Sequence, residues 1–263
     1  MKEKRTEHKI PLLVIVGPTA SGKTDLAIEA AKRLQGEIVS ADSMQIYRYM
    51  DIGTAKPTWE ERQGIPHHMI DIVTPDQEFN AALFQKGAEK SIREIAERGK
   101  LPILAGGTGL YVNAILYPMN FTDAAEDPEY RRYLNGLLKT HGKEYLHSLL
   151  RHIDPETAER LHPNDTRRII RAMEVSHVTG KSMMAYRQDF RNMDSSYEWM
   201  LYGLTMDRQQ LYERINKRVD RMIRGGLAEE VRGLLDRGYS GDLVSMQGLG
   251  YKEMIPYLKG LST

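Results

Sequence analysis

Cysteine is absent from this chain of 263 residues. Disulfide bonds are therefore excluded, and a zinc site could draw only on His, Asp and Glu. His67 and His68 are adjacent in the sequence, but neighbouring side chains of a regular element point to different faces. We therefore expect no metal site at this pair.

Long apolar stretches are missing as well. The first apolar run, residues 10–16, follows a polar and charged start and is too short for the core of a signal peptide. No run approaches the roughly 20 apolar residues that a membrane span needs. These features predict a cytoplasmic protein without membrane contact, and we expect it to be a monomer.

The net charge is close to zero, because 37 Lys and Arg against 36 Asp and Glu give +1. The whole chain thus gives no electrostatic reason to expect nucleic acid as a partner. Locally, however, residues 160–191 hold seven Lys or Arg and three acidic residues. Arg214, Arg218 and Arg221 form a second basic stripe at helical spacing. Each stripe could contact phosphate groups or be an ordinary solvated face.

The order of elements predicts an α/β fold. Continuous apolar runs, typical of parallel strands buried on both faces, alternate with amphipathic helical patterns. This alternation predicts a parallel sheet wound by right-handed crossovers. The predicted strands are residues 11–16, 37–41, 101–105 and 198–206, and the predicted helices are 24–34, 84–96, 208–224 and one through Leu235.

The middle of the chain has a different character. Residues 127–181 show helical segments that are broken at Asp154-Pro155 and at His162-Pro163, without a convincing strand. We therefore expect a core that is discontinuous in sequence. Residues 1–120 and 197–263 would form the α/β core, and residues 121–196 an all-helical insert domain.

One motif carries specific chemistry. Residues 17–24 match G-x-x-x-x-G-K-[ST] between a predicted strand and a predicted helix, which is the context that a phosphate-binding P-loop requires. Glycines let backbone N–H groups surround phosphate oxygens at a helix N-terminus, Lys23 adds a charge, and the Thr24 hydroxyl can ligate Mg²⁺. The sequence therefore predicts a P-loop NTPase-like parallel sheet flanked by helices. The expected phosphate ligands are Gly17, Pro18, Thr19, Ala20, Ser21, Gly22, Lys23 and Thr24.

The loop alone does not identify the phosphate compound. A kinase or ATPase would also have an acidic residue at the end of a neighbouring strand, whereas the third predicted strand runs into Gly106, Gly107 and Thr108. Asp42, at the end of the second strand, is the best acidic candidate, because carboxyl ends of parallel strands gather at the ligand-binding edge. It could be a base, a Mg²⁺ ligand or a loop cap.

Five segments, in this order, resemble tRNA dimethylallyltransferases, also called tRNA isopentenyltransferases. They are GPTASGKT (17–24), SADSMQIYRYMDIGTAKPT (40–58), AGGTGLY (105–111), HPNDTRRIIRAMEV (162–175) and QGLGYKE (247–253). The combination is far more specific than the P-loop, which small-molecule kinases share. The resemblance implies transfer of a dimethylallyl group from dimethylallyl diphosphate to N6 of adenosine 37 in tRNA.

The same resemblance implies roles for individual residues. The P-loop, Lys23, Thr24 and Mg²⁺ would neutralise the diphosphate leaving group, Thr108 would contribute a hydroxyl, and Arg218 a further positive charge. Asp42 would accept the proton from adenine N6, whose lone pair is delocalised and weakly nucleophilic. The expected catalytic residues are therefore Lys23, Asp42, Thr108 and Arg218, with Thr24 as the metal ligand.

For the anticodon stem-loop of tRNA, the resemblance implies a larger set of contacts, and it makes the helical insert, residues 121–196, a tRNA-binding domain. A base beside the anticodon must leave its stack and be held by its edge and face. Tyr47, Tyr111 and Tyr251 could stack on it or could be ordinary packing residues. The expected tRNA-binding residues are Asp42, Ser43, Met44, Gln45, Thr108, Arg131, Arg167, Arg168, Ile169, Ile170, Arg171, Gln247, Gly248, Leu249, Gly250, Tyr251 and Lys252.

Two other functions compete with this interpretation. A P-loop kinase of a nucleotide or small metabolite would fit the loop alone, and an RNA-binding module with a relic P-loop would fit the basic stretches. The third strand ends without a carboxylate, which is evidence against a kinase. Lys23 and Thr24 are intact, which is evidence against a relic P-loop. Members of the family usually continue with a helical segment rich in Lys and Arg, and a chain without it should bind tRNA more weakly while keeping the P-loop complete.

Overall fold

A parallel sheet organises the structure, a computed structural model that describes residues 9–117, 119, 127–183 and 194–261. Its five strands lie in the order β3-β2-β4-β1-β5, and every neighbouring pair is parallel. The strands are β1 (Ile10–Val16), β2 (Gly36–Ala41), β3 (His67–His68), β4 (Leu101–Gly106) and β5 (Tyr197–Gly203). The predicted α/β fold is confirmed, although β3 was not predicted.

Helices flank the sheet and fill the middle of the chain. They are α1 (Lys23–Leu34), α2 (Trp59–Arg62), α3 (Ala81–Glu97), α4 (Gly109–Leu116), α5 (Pro128–Ile153), α6 (Pro155–Arg160), α7 (Thr166–Thr179), α8 (Arg208–Arg224), α9 (Leu227–Asp236) and α10 (Tyr251–Leu258). A short 3₁₀ turn, Ser245–Gln247, precedes α10. No helix among the described residues has the length and the apolar composition for crossing a membrane.

The chain divides into two compact units, Met1–Tyr117 with Ser195–Thr263, and Pro118–Asp194. All five strands belong to the first unit, which we call the sheet unit. The described part of the second unit consists of α5, α6 and α7, and we call it the helical unit. The span of α5 is interrupted at Gly142, where φ is 83°, a left-handed conformation that glycine adopts at little cost.

Helices cover both faces of the sheet because successive strand residues point to opposite sides. On one face, apolar residues of α3, such as Phe84 and Ile92, pack with Val14, Val39 and Leu104. On the other face, Ala27, Ile28 and Ala31 of α1 pack with Ile15, Ile38 and Ile103. The inner strands β1, β2 and β4 are thus largely buried, which explains their continuous apolar sequences. In the edge strand β5, by contrast, all residues after Tyr197 are exposed.

A second apolar cluster lies beside the sheet and belongs to the same unit. Residues Ile46, Tyr47 and Met50 follow β2 and pack against α9 and α10. This cluster fixes residues 42–56, the segment that leads away from the carboxyl end of β2. The segment is called the β2 loop below.

The helical unit has a core of its own. Leu134, Leu146 and Leu150 of α5 are completely buried and pack against Ile169 and Met173 of α7. Asp127 begins α5 by accepting hydrogen bonds from the N–H groups of Glu129 and Tyr130 at 3.1 and 2.9 Å, which is a typical N-cap. Local capping and an apolar face therefore account for these helices.

Candidate active site

The P-loop joins the end of β1 to the start of α1, as the sequence predicts. Ala20 and Gly22 adopt positive φ values of 63° and 91°, which turn the chain sharply before the helix. No described side chain caps α1, so the N–H groups of its first turn remain available to an anion. The hydroxyl of Ser21 is buried and has no hydrogen-bond partner among the described residues. The loop thus offers donors that the folded chain itself does not use.

Lys23 extends along this loop and donates a hydrogen bond to the carbonyl oxygen of Pro18 at 2.6 Å. Burial lowers the pKa of Lys23, the carboxylate of Asp42 partly opposes this effect, and the charge of Arg218 adds to it. Burial likewise lowers the pKa of Arg218, against the influence of Asp42. Two partly desolvated cations therefore lie near one carboxylate, an arrangement that a bound polyanion would stabilise.

Asp42 occupies the carboxyl end of β2 and uses one oxygen for the backbone. Its Oδ1 accepts hydrogen bonds from the N–H groups of Met44 and Gln45 at 2.8 and 3.3 Å. Its Oδ2 has no hydrogen-bond partner among the described residues. The sequence left a loop cap and a chemical role as alternatives for Asp42. The structure allows both, because Oδ1 caps the loop and Oδ2 remains available.

Thr108 follows β4 and reaches the β2 loop. Its Oγ1 accepts a hydrogen bond from the N–H of Ser43 at 3.0 Å and donates one to the Ser43 hydroxyl at 3.3 Å. The backbone N–H of Thr108 also bonds to the carbonyl of Ala41 at 3.1 Å. Thr108 and Asp42, predicted from separate motifs, therefore lie on adjoining strand ends.

Helix α8 brings two arginines to the same edge of the sheet. Arg214 donates to the carbonyl of Ala20 in the P-loop at 3.2 Å, and Arg218 donates to the carbonyl of Thr54 in the β2 loop at 3.3 Å. Of the basic stripe on this helix, these two contact the site, whereas Arg221 bonds to the backbone of its own helix. The sequence spacing revealed the stripe but did not single out Arg214.

Residues 247–252 adjoin the start of the β2 loop. A Cβ atom on Gly248 would collide with the side chain of Met44, so these two predicted tRNA-binding segments are in contact. Gln247, Leu249 and Lys252 are exposed, whereas Tyr251 is completely buried. The exposed members of the segment remain available to a ligand.

The three tyrosines considered as base-stacking partners are all buried. Tyr47 and Tyr111 are 4% and 5% exposed, and Tyr251 is 0% exposed. The ring of Tyr111 stacks on Phe84 with 3.9 Å between centroids. The structure therefore favours the packing role that the sequence left open for these residues.

The remaining predicted tRNA-binding residues belong to the helical unit. Arg167 and Arg168 are exposed, and Arg168 lies 3.3 Å from Asp165. Ile169 and Ile170 are buried in the core of the unit, so their side chains pack there. Arg187 and Arg191, the last members of the basic stretch, lie outside the described residues.

Arg131 and Arg171 share one buried carboxylate. Glu174, which is 0% exposed, lies 2.8 Å from Arg131 and 2.7 Å from Arg171, and it also accepts the N–H of Asp127 at 3.0 Å. Burial alone would raise the pKa of Glu174, but the hydrogen bonds from both arginines hold that pKa below its ordinary value. The two guanidinium groups thus stabilise the charged form of this buried carboxylate.

The histidine pair lies away from this chemistry. Nδ1 of His67 lies 2.8 Å from the carbonyl of Ile65, and Nε2 of His68 lies 2.7 Å from a carboxylate oxygen of Glu37. Within the described ranges, no three His, Asp or Glu side chains group as metal ligands. These histidines belong to the packing between β2 and β3.

Comparison with known proteins adds independent information. The model of the IPP transferase family matches residues 45–263. A tRNA dimethylallyltransferase of Acetivibrio thermocellus is 54% identical over 249 residues, which are 95% of this chain and 80% of that protein. That of Carboxydothermus hydrogenoformans is 52% identical over 252 residues, or 96% of this chain and 81% of that protein.

Two solved structures are similar as well. The tRNA isopentenylpyrophosphate transferase of Bacillus halodurans has a TM-score of 0.69 and 49% identity, with 97% of this chain and 79% of that chain covered. A eukaryotic dimethylallyltransferase acting on tRNA has a TM-score of 0.78 and 28% identity, with 95% of this chain and 64% of that chain covered.

Proposed function

This chain belongs to the IPP transferase family, and we propose that it transfers a dimethylallyl group from dimethylallyl diphosphate to N6 of adenosine 37 in tRNA. One observation supports this reaction above the others. Lys23, Arg218 and Asp42 lie close enough for their charges to interact at the end of the sheet where the P-loop begins. The site thus pairs cations for a leaving group with a carboxylate for a proton.

The diphosphate group would occupy the P-loop. Its oxygens would accept the free N–H groups at the start of α1 and the buried hydroxyl of Ser21, which lacks a partner among the described residues. Lys23 and Arg218 would stabilise the negative charge that develops as the allylic C–O bond breaks. Burial lowers the pKa of both cations because it removes water that would stabilise their charge. The bound anion would replace this stabilisation.

The residues present also suit Mg²⁺. Thr24 is exposed at the first turn of α1, and its hydroxyl makes no hydrogen bond to any described residue, so an oxygen ligand is available beside the phosphate position. When bound, Mg²⁺ would supply further positive charge to the diphosphate. Thr24 and the phosphate oxygens would hold it.

Asp42 would receive the proton. As the bond from N6 to the allylic carbon forms, N6 must lose one hydrogen, and the available Oδ2 of Asp42 can accept it. The hydrogen bonds of Oδ1 to Met44 and Gln45 would hold the carboxylate in one orientation during this transfer. Thr108, anchored on Ser43, would complete the polar wall beside it.

The tRNA substrate would use both units. In the sheet unit, the exposed side chains of residues 247–252 adjoin Met44 and thus the segment that carries Asp42. In the helical unit, Arg131, Arg167, Arg168 and Arg171 supply positive charge for phosphate contacts. A tRNA substrate also supports the cytoplasm as the place of reaction.

The test is transfer of label from radiolabelled dimethylallyl diphosphate to unmodified tRNA in the presence of Mg²⁺. We expect label in a tRNA that has adenosine at position 37 and none in a matched tRNA with guanosine there, because only adenine presents the exocyclic N6. Labelled ATP, incubated in parallel, should remain intact. Consumption of ATP together with unlabelled tRNA would replace this function with that of a kinase.

A further inference from the structure

The β2 loop, residues 42–56, is held at its far end by groups that also define the site. Gln45 donates through Nε2 to the carbonyls of Thr54 and Ala55 at 3.5 and 3.3 Å. Arg218 donates to the same Thr54 carbonyl at 3.3 Å. The position of residues 54–55 therefore affects both Arg218 and Gln45, whose own N–H binds Asp42.

Glu230 fixes the residues just before this point. Its Oε2 accepts the backbone N–H groups of Asp51 and Ile52, both at 2.8 Å, and its Oε1 accepts that of Gly53 at 3.1 Å. Three consecutive N–H groups that converge on one carboxylate form an anion-binding nest. Hydrogen bonds to a charged acceptor are among the stronger ones in proteins, so Glu230 anchors the chain at residues 51–53.

Tyr251 completes this anchor from α10. Its hydroxyl donates to Oε1 of Glu230 at 2.6 Å, and its ring lies so close to Gly53 that a Cβ atom there would collide with it. Burial, followed by the negative charge of Glu230, raises the pKa of Tyr251, so the hydroxyl remains a donor. Glycine at position 53 permits the close approach of ring and backbone.

We propose that Glu230, supported by Tyr251, is a positioning residue for the transfer reaction. It touches neither substrate nor reacting atoms, but it holds residues 51–53 so that Thr54 and Ala55 meet Arg218 and Gln45, and through Gln45 it orients Asp42. The inference rests on the proposed function, since it assigns the geometry of Asp42 and Arg218 to that reaction. A displacement of about 1 Å in such a site is enough to reduce a rate about 100-fold.

The substitution Glu230→Gln tests this proposal, with Glu229→Gln as the matched control. Glu229 is exposed on the same turn of α9 and, among the described residues, makes no hydrogen bond to the loop. In the 263-residue chain we expect Glu230→Gln to lower the single-turnover rate of transfer about 10- to 100-fold. The affinity for dimethylallyl diphosphate should change less than about threefold, because the P-loop is untouched and Arg218 acts on charge that develops only as the C–O bond breaks. Glu229→Gln should match the wild type.

Tyr251→Phe is a milder companion that keeps the ring on Gly53 and removes one hydrogen bond. We expect a loss of rate of about three- to tenfold, which corresponds to the net contribution of one ordinary hydrogen bond, because the three backbone N–H groups still hold Glu230. If Glu230→Gln lowers the folded fraction, which circular dichroism would show, this variant still reports on the anchor.

A double-mutant cycle separates positioning from general stability. In a background that carries Asp42→Asn, Glu230→Gln should cause a smaller loss of rate than in the wild type, because one of the two groups that it positions is already impaired. Equal losses in both backgrounds, or a normal rate for Glu230→Gln, would overturn the inference while wild-type transfer left the proposed function intact. Absence of transfer by the wild type would overturn both.

Discussion

The two carboxylate oxygens of Asp42 have different roles. Oδ1 caps the start of the β2 loop through the N–H groups of Met44 and Gln45, while Oδ2 is the atom that would accept the proton. Asp42→Asn keeps the first function, since the amide oxygen can still accept. It replaces the second oxygen by an N–H₂ group, which is a donor.

We therefore expect Asp42→Asn to lower the single-turnover rate about 100- to 10,000-fold, the usual contribution of general acid–base catalysis. The affinity for dimethylallyl diphosphate should stay within about threefold, because the P-loop contacts are unchanged. Rapid-quench transfer assays and equilibrium binding measure the two quantities. Asp236→Asn, an exposed position at the end of α9, is the control. A normal rate for Asp42→Asn would remove this residue from the mechanism.

The residues that carry local patterns were predictable, and those that act over long separations were not. The P-loop has a fixed spacing, and Asp42 follows a buried strand, so both could be recognised in the sequence. Glu230 binds residues that are 177 to 179 positions away. Nothing in the pattern of α9 distinguishes it from its neighbour Glu229, because the distinction arises only when the chain folds. Arg214 was recognised as a member of a stripe, but its bond to Ala20 required the structure.

Among the elements, those with a clear period were predicted and the shortest ones were missed. The helix over Ala81–Glu97 shows buried residues at helical spacing, and the buried strands are continuous apolar runs. By contrast, β3 has two residues and α2 has four, which is too few for a period to appear. Helix α4 is apolar on nearly all sides and buries five of its eight residues, so no amphipathic pattern marks it.

The pair of helices α5 and α7 depends on one buried charge, and this gives a testable pH dependence. The folded-state pKa of Glu174 lies below its ordinary value of 4.5. Its ion pairs therefore stabilise the folded helical unit fully above pH 4.5, and this contribution is lost as the pH falls through the lower folded-state value.

We expect Glu174→Gln to lower the free energy of unfolding of the helical unit by about 1–3 kcal/mol near neutral pH. The difference from the wild type should shrink on acidification below pH 4.5. Native-state hydrogen exchange of the amides in α5 and α7, followed against pH, measures both effects. Glu159→Gln, an exposed change on α6, should leave exchange unaltered. A difference that grew on acidification would contradict the assigned role of Glu174.

For the molecule as a whole, net charge is a poor guide to its partner. The chain carries only +1, yet basic side chains concentrate on particular surfaces of both units. Composition therefore excluded a general attraction to nucleic acid and could not reveal a local one. The tRNA substrate was predictable from several motifs in a fixed order. The net charge of the chain gives no sign of these motifs.

A local patch predicts a specific salt dependence. Replacing exposed Arg167 and Arg168 together by Gln should weaken tRNA binding. It should also reduce the slope of log affinity against log salt concentration by about 1 to 2, since each phosphate contact contributes about 0.7–0.9. Filter binding at several salt concentrations measures the slope. Arg33→Gln with Lys100→Gln, which removes the same charge where α1 ends and β4 begins, is the control. Equal slopes for the two double variants would exclude a phosphate role for Arg167 and Arg168.

The pairing of β5 with β1 has a consequence for how the chain acquires its structure. Ile10 lies opposite Tyr197, and Val16 opposite Gly203. These two strands are neighbours in the sheet, but the whole helical unit lies between them in the sequence. Contacts between such distant positions form slowly, because a long loop must close before they gain any stability. During synthesis on the ribosome, the helical unit can collapse while the sheet still lacks its last strand. The P-loop is thus translated long before β5, the strand that completes the sheet beside β1.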